Sequence, residues 1–283
     1  MDRFLKNSHY KEVLLYFSKK AKNYDLVDTQ LYWRLSDKLL WYALREVLLK
    51  KIKEKKVSLL DAGAGTGRWS IKMVQYLKEA KIYLVDASRE MLEVAKEKVK
   101  NKQSRNRMKF YNIFLEELDK IFPKNFFYAT INLHNVLGFV KDPVIVMEKL
   151  SLVTKRIVIS FVPNLYHMIY FNIKTGNINE ALYAAFYKKG RFTKDMPRIH
   201  AFTPESIRDI YEKAGIKKVK IYGFPKFLYP GEEETKIVGN TKELKNILQD
   251  KRNFKKIFSL EKKFIFDESA CSRGNMLFVV GKK

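Results

Sequence analysis

Apolar positions change their period once along the chain, near residue 57. Before that point they recur at helical spacing, at Val13, Leu14 and Phe17 and then at Leu39, Leu40, Ala43, Leu44, Val47 and Leu48, the 3.6-residue period of amphipathic helices. No strand pattern precedes Val57. Beyond it, short apolar runs alternate with helical segments. VSLLDA is followed by a helix over about 68–78, then KIYLVDA and a helix over about 89–100. MKFYNI, FFYATINL and RIVISFV come next, with 143–150 helical between the last two. Strands that are apolar throughout and separated by helices predict βαβ units around a parallel sheet covered on both faces, hence an α/β fold.

The alternation breaks after RIVISFV. Residues 163–198 hold seven aromatic residues (Tyr166, Tyr170, Phe171, Tyr183, Phe186, Tyr187 and Phe192) and read as helix plus loop inserted above the sheet, since the stretch is too long and too apolar for a linker. The organisation expected is a helical cap over 1–56 and a main domain over 57–283, with a lid insertion at about 163–202. In TPESIRDIYEKAG, Thr203 is a natural N-cap with Pro204 at N1 and Gly215 as the stop. Ser206 stands where a capping box would have Glu, so no box is expected. KKVKIYG reads as a strand, 230–235 as an acidic loop, 242–266 as helical and NMLFVV as a closing strand.

Composition narrows the class. The 283 residues are 46% hydrophobic and 14% aromatic, with 12 Gly and 7 Pro, which supplies a large core and excludes disordered or collagenous chains. A single cysteine, Cys271, cannot form an intramolecular disulfide or a cysteine-rich zinc site, so no metal is assigned and a reducing, cytoplasmic setting is expected. The most apolar window, 157–173, is interrupted by Pro163, Asn164 and His167, so neither a membrane span nor a signal peptide nor a membrane partner is expected. Lysines and arginines number 56 against 31 acids, a net charge of +25. The 43 lysines are spread over almost every segment, so a solvated lysine-rich surface comes first and an anionic partner second.

The chemistry concentrates in LLDAGAGTGRWS, where Gly63, Gly65 and Gly67 lie between a strand ending at Asp61 and a helix. Glycines there let backbone N–H groups approach a ligand closely, with a helix N-terminus behind them. A dinucleotide fingerprint would need its third glycine at Arg68, and a Walker A loop would need Gly-Lys before Ser or Thr; both fail. The spacing suits a nucleotide-like ligand without pyrophosphate. Asp86, at the carboxyl end of the second strand, is placed to accept both hydroxyls of a ribose.

The pair VSLLDAGAGTG and IYLVDAS resembles the class I S-adenosylmethionine-dependent methyltransferases, over about residues 57–223. The resemblance implies a doubly wound, seven-stranded, Rossmann-like sheet whose last strand, NMLFVV, runs antiparallel, with S-adenosylmethionine as cofactor and S-adenosylhomocysteine as product. It assigns Asp61, Gly63, Gly65 and Gly67 to the methionine part, Asp86 to the ribose and Met91 to the adenine. Asn112 occupies the position where the family often has an acid that receives the adenine amino group. Ala64, Ala87, Ile113 and Leu133 beside these, with Tyr24 and Arg34 from the N-terminal helices, complete the expected cofactor set. His134, in INLHNVLGFVKD, ends the fourth strand, where cofactor and substrate meet in this family.

Methyl transfer is an in-line displacement, and a base is needed only when the nucleophile must lose a proton. LHNV replaces the Asp/Asn-Pro-Pro-aromatic tetrapeptide typical of adenine methylation in nucleic acid, and Cys271 lies away from the loop, so cytosine-carbon methylation fails too. A small molecule or peptide in an aromatic-walled cavity remains. GRFTKDMPRIHAFTPESIRDIYEKAG and CSRGNMLFVVGKK are similar to tailoring methyltransferases of natural products, including those that esterify the C-terminal carboxylate of lanthipeptides. That similarity implies an anionic, carboxylate acceptor held by His134, Arg191, Arg198 and His200. An RNA-modifying enzyme and a non-catalytic cofactor-binding module stay open as alternatives.

Overall fold

The computed structural model describes residues 7–53, 56–228 and 247–283. Helix α1 (Ser8–Lys20), a 3-10 segment (Ala21–Thr29) and helix α2 (Leu31–Val47) precede the sheet. Then come β1 (Ser58–Ala62), α3 (Arg68–Tyr76), β2 (Lys81–Asp86), α4 (Arg89–Val99) and β3 (Met108–Asn112). A short α5 (Leu118–Ile121), β4 (Phe127–Asn132), α6 (Val136–Phe139), α7 (Pro143–Val153) and β5 (Thr154–Pro163) follow. The insert comprises α8 (Leu165–Lys174), α9 (Ile178–Tyr187), β6 (Lys189–Gly190) and β7 (Ile199–His200). The chain closes with α10 (Pro204–Lys213), β8 (Lys217–Phe224), α11 (Lys251–Phe264) and β9 (Met276–Lys282). The expected acidic loop at 230–235 and positions 242–246 of the expected last helix lie outside the described residues.

Seven strands pair in the order β3-β2-β1-β4-β5-β9-β8. The pairs from β3 to β5 are parallel, while β9 runs antiparallel to both β5 and β8, with Ser160 opposite Val279. Side chains alternate between faces and both faces are buried: Leu59, Ile159 and Phe278 pack on one side with α2, α3 and α4, and Leu60, Val158 and Val279 on the other with α7 and α10. This is why the strands read as continuous apolar runs rather than as alternating ones. Strand order reverses at β1 and β4, and the crevice beyond their carboxyl ends is where ligands bind in open α/β sheets.

The helix starts follow their capping residues. Ser88 caps α4, and Asp142 caps α7 through the Val144 and Ile145 amides with Pro143 at N1. At α10 the structure corrects the sequence expectation: Ser206 N donates to Thr203 Oγ1 at 3.1 Å and Thr203 N donates to Ser206 Oγ at 2.9 Å. A serine hydroxyl is short, yet at N3 it reaches the N-cap amide and completes the box. The insert is a helical hairpin, α8 and α9, joined to a two-residue ladder between β6 and β7; so short a ladder has no legible period. Its own small core, around Met168, Ala184 and Ile199, packs on Phe139.

Candidate active site

All three loop glycines have left-handed φ angles: 76° at Gly63, 53° at Gly65 and 73° at Gly67. Their surroundings differ. A Cβ at Gly63 would lie 2.4 Å from Val136 Cγ2 and one at Gly67 3.1 Å from Ala95 Cβ, whereas one at Gly65 would meet nothing within 4 Å. The outer glycines therefore serve packing, and the middle one opens onto space. Gly65 N donates to Asp86 Oδ2 at 2.7 Å and Ser88 N to Asp86 Oδ1 at 2.8 Å, which locks the carboxylate at the loop. Burial pushes the Asp86 carboxyl up to about 6, against the pull of the Ser88 and Gly65 amides. Asp61 Oδ2 accepts from Ser70 Oγ at 2.6 Å. Burial raises its carboxyl to about 7, with Ser70 working the other way and Asp86 adding to the rise.

A cavity opens here. Of the expected cofactor residues, Tyr24, Asp61, Gly63, Ala64, Gly65, Asp86, Ala87, Met91 and Leu133 line it, and His134 does too. Four do not. Gly67 is packed under the loop. Asn112 turns its amide inward, where Nδ2 donates to the carbonyls of Asp86 at 3.0 Å and Ala87 at 2.9 Å, so it holds the Asp86 loop from behind. Ile113 packs against the core of the α7 and α10 face. Arg34 is exposed on α2 in a separate groove beside Lys38 and Trp41, because the apolar stripe of that helix turns it away from the sheet. The wall also contains Tyr10, Val13, Leu14 and Phe17 of α1, with Phe114 and Phe139. Their clue in the sequence was the apolar stripe of α1, which could not say what it covers.

A second cavity shares Phe17, Tyr24, Arg68, His134 and Phe139 with the first. Aromatic side chains from the N-terminal helices (Tyr16, Trp33) and the insert (Phe171, Phe192) wall it. His134 stands between the two spaces. Its φ is 55° and that of Asn135 is 69°, two successive left-handed residues, a conformation costing roughly 1–2 kcal/mol per non-glycine residue. The turn is held by Asn135 N donating to Phe161 O at 3.1 Å and Gly138 N donating to Asn135 O at 2.7 Å. The ring stacks on Trp69, with centroids 5.4 Å apart. Its Nε2 lies 3.3 Å from Oδ1 of Asp37, a buried side chain of α2 whose other oxygen accepts from Arg68. Burial opposes ionisation of Asp37, but His134, Arg68 and Lys72 together hold its carboxyl below the usual carboxylate range.

The other three expected catalytic residues are elsewhere. Arg198 donates twice to Glu180 at 2.9 Å and Arg191 lies 3.4 Å from the same carboxylate, both on the outside of the insert. His200 Nε2 is 3.2 Å from the Lys141 carbonyl and outside both cavities. Burial, with repulsion from Lys189, lowers its imidazole to about 4. In each case the packing of the insert, rather than any local pattern, decides the outcome.

A family model described as a methyltransferase domain matches residues 53–223. The chain belongs to that family. It is a class I domain whose cofactor is S-adenosylmethionine, in keeping with the open space at Gly65 and the buried carboxylates on either side. An uncharacterised methyltransferase of Schizosaccharomyces pombe is 29% identical over 144 residues, 50% of this chain and 49% of that protein. The chain thus spans about half the length of the curated relative it matches. Among solved structures, a SAM-dependent methyltransferase of Thermotoga maritima superposes with a TM-score of 0.55 at 15% identity, covering 95% of this chain and 98% of that one. Phosphoethanolamine N-methyltransferase 2 of Haemonchus contortus, in complex with S-adenosylmethionine, gives 0.55 at 17% identity over 94% of this chain and 60% of that one. These likenesses are of fold.

In this methyltransferase domain the N-terminal 3-10 segment is strapped across the glycine loop. Thr66 Oγ1 donates to Asp25 Oδ1 at 2.6 Å, Lys98 Nζ donates to Asp25 Oδ2 at 2.5 Å and to Thr66 O at 2.7 Å, and Arg68 pairs with Asp28 as well as Asp37. Tyr24, which directly precedes Asp25, lines both cavities, and burial raises its phenol to about 12, partly offset by Arg68. The strap thereby forms one side of the crevice at the glycine loop.

Proposed function

We propose that the chain methylates a hydroxyl oxygen of a small molecule or peptide seated in the second cavity, with His134 as the base. The observation that carries this reading is the position of His134 at the wall common to both cavities, with buried Asp37 on its Nε2. Bound S-adenosylmethionine supplies an electrophilic methyl group on its sulfonium and leaves as S-adenosylhomocysteine. Asp61 is assigned to the ammonium group of the methionine part, Asp86 to the ribose hydroxyls, and Met91 with the apolar wall of α1 to the adenine. With the Nε2 proton on the Asp37 side, Nδ1 of His134 carries the lone pair that takes the acceptor's proton, while the acceptor oxygen forms the new C–O bond. The ionised Asp37 stabilises the resulting imidazolium.

A carboxylate acceptor is less well supplied. It needs no base but several donors, and Arg191, Arg198 and His200 are engaged away from the cavity. Arg68 already faces Asp25, Asp28 and Asp37, which leaves Lys20 as the cation of the chamber wall without a carboxylate partner among the described residues. Screening hydroxylated aromatic compounds and peptides for release of S-adenosylhomocysteine, with mass analysis of the product, tests the reading. A methyl group lost on mild alkaline hydrolysis would mark an ester and overturn the hydroxyl assignment.

A further inference from the structure

The outer face of the insert is apolar where a protein surface in water ordinarily is not. On α8, Tyr166, Tyr170 and Ile173 are exposed, at i, i+4 and i+7. On α9, Ile178, Leu182 and Phe186 are exposed at i, i+4 and i+8, with Tyr187 beside them. Phe186 is 79% accessible and Leu182 52%. Both helices also have a buried side facing the insert's small core, through Met168 and Ala184, so the outward stripes are additional to what the fold needs. Scattered surface hydrophobics require no explanation, but seven large ones on adjacent helices of one hairpin do.

Charge identifies the occupant. Between residues 165 and 189 the single acid is Glu180, which Arg191 and Arg198 neutralise. Lys174 ends α8, and Lys188 and Lys189 follow α9 directly. A second copy of this chain would bring the same lysines and another +25 against them, and the contact would be self-repelling. A pair of ten-residue helices with exposed aliphatic and aromatic side chains, tyrosines among them, and lysines at the helix ends has the composition of an element that lies in the headgroup region of a bilayer. We propose that the α8–α9 hairpin is a peripheral docking surface for an anionic lipid bilayer. No helix among the described residues is long and apolar enough to cross a membrane, and the proposal concerns adsorption alone. His167 and Phe171, on the inner side of α8, line the second cavity, so docking would set the bilayer against the outer wall of the chamber. The inference stands independently of the acceptor and of the role of His134.

Co-sedimentation of the full chain with vesicles tests it, using equal parts phosphatidylglycerol and phosphatidylcholine against phosphatidylcholine alone, at low and high salt. The chain should pellet with the anionic vesicles, less at high salt, and the double variant Leu182→Gln/Phe186→Gln should bind at least about tenfold more weakly with an unchanged melting temperature. Should that variant fail to fold, Tyr166→Gln/Ile178→Gln on the same stripes serves in its place. Failure of the wild type to pellet, or equal pelleting of the variant, would overturn the proposal. So would light scattering that shows a wild-type dimer dissociated by these substitutions, since a second copy would then cover the face.

Discussion

Asp37 Oδ1 lies 3.3 Å from His134 Nε2, joining a helix outside the nucleotide-binding motif to the left-handed turn that ends β4. The other oxygen of Asp37 is held by Arg68, the first residue of the helix behind the glycine loop. A chain of contacts thus passes from the glycine loop through α2 to the imidazole. Trp69, its stacking partner, is the next residue along the same helix.

If His134 is the base, His134→Gln should lower the rate of methyl transfer by roughly 100- to 10,000-fold with little change in affinity for S-adenosylhomocysteine. Asp37 acts through His134, so Asp37→Asn should cost less, on the order of 10- to 1,000-fold, and Asp37→Glu should recover part of it. Turnover of His134→Gln at the wild-type rate, read as release of S-adenosylhomocysteine, would assign the proton transfer to another group.

The βαβ order, the antiparallel last strand and the Asp61, glycine and Asp86 constellation were legible because each rests on short-range rules: apolar runs of strand length, a loop spacing, an acid at a strand end. The contacts of Asn112 Nδ2 were not legible, since which way an amide turns depends on carbonyls 25 and 26 residues away. The placement of Arg191, Arg198 and His200 was not legible for a similar reason, as their partners Glu180 and Lys141 are fixed by how the insert folds back. Asp37 carried a faint mark in the sequence, a charge within the run from Leu35 to Leu40 that is otherwise largely buried. Nothing local connected it to His134, 97 positions further on.

The glycine loop separates folding from binding. At Gly63 an added Cβ would sit 2.4 Å from Val136 Cγ2, so Gly63→Ala should destabilise the fold by about 1–3 kcal/mol from overpacking alone. At Gly65 the added methyl enters open space and carries only the left-handed strain of about 1–2 kcal/mol. Gly65→Ala should therefore retain most of its thermal stability while losing at least about tenfold in affinity for S-adenosylhomocysteine, the equivalent of 1.4 kcal/mol. Melting curves and calorimetry on the pair check both halves. Normal cofactor affinity in Gly65→Ala would mean that the ligand does not approach this glycine.

Asp61 gives the pH dependence a definite sign. Its folded value, pushed up to about 7, stands above the unfolded value of roughly 4. Between those limits the folded protein without cofactor binds more protons than the unfolded chain, so this contribution is full below about pH 4 and is lost as pH rises through about 7. The ammonium group of a bound cofactor would favour the ionised form, which predicts proton release on binding below about pH 7 and affinity that rises with pH up to that point. Calorimetry in two buffers of different ionisation heat measures the release, and Asp61→Asn should remove most of it. Asp86, at about 6 with burial as its main cause, would leave a smaller residue at lower pH.

The strap over the cofactor site is held by side chains rather than by its own helix. A nine-residue 3-10 segment, Ala21–Thr29, is long for that geometry, whose hydrogen bonds are poor, and Asp25 ties it to Thr66 and Lys98. Because Asp25 is about one-third exposed, the bonds together should be worth only about 1 kcal/mol, or roughly fivefold in an equilibrium. Asp25→Ala should speed amide exchange in residues 21–29 and weaken S-adenosylhomocysteine binding by about that factor, while exchange in β1, β4 and β5 stays as in the wild type. Binding of the cofactor product to the wild type should slow exchange in the strap and the glycine loop together. If the loop alone is protected and residues 21–29 exchange at the rate seen without ligand, the segment does not close the site, and enclosure must come from α1 and the insert.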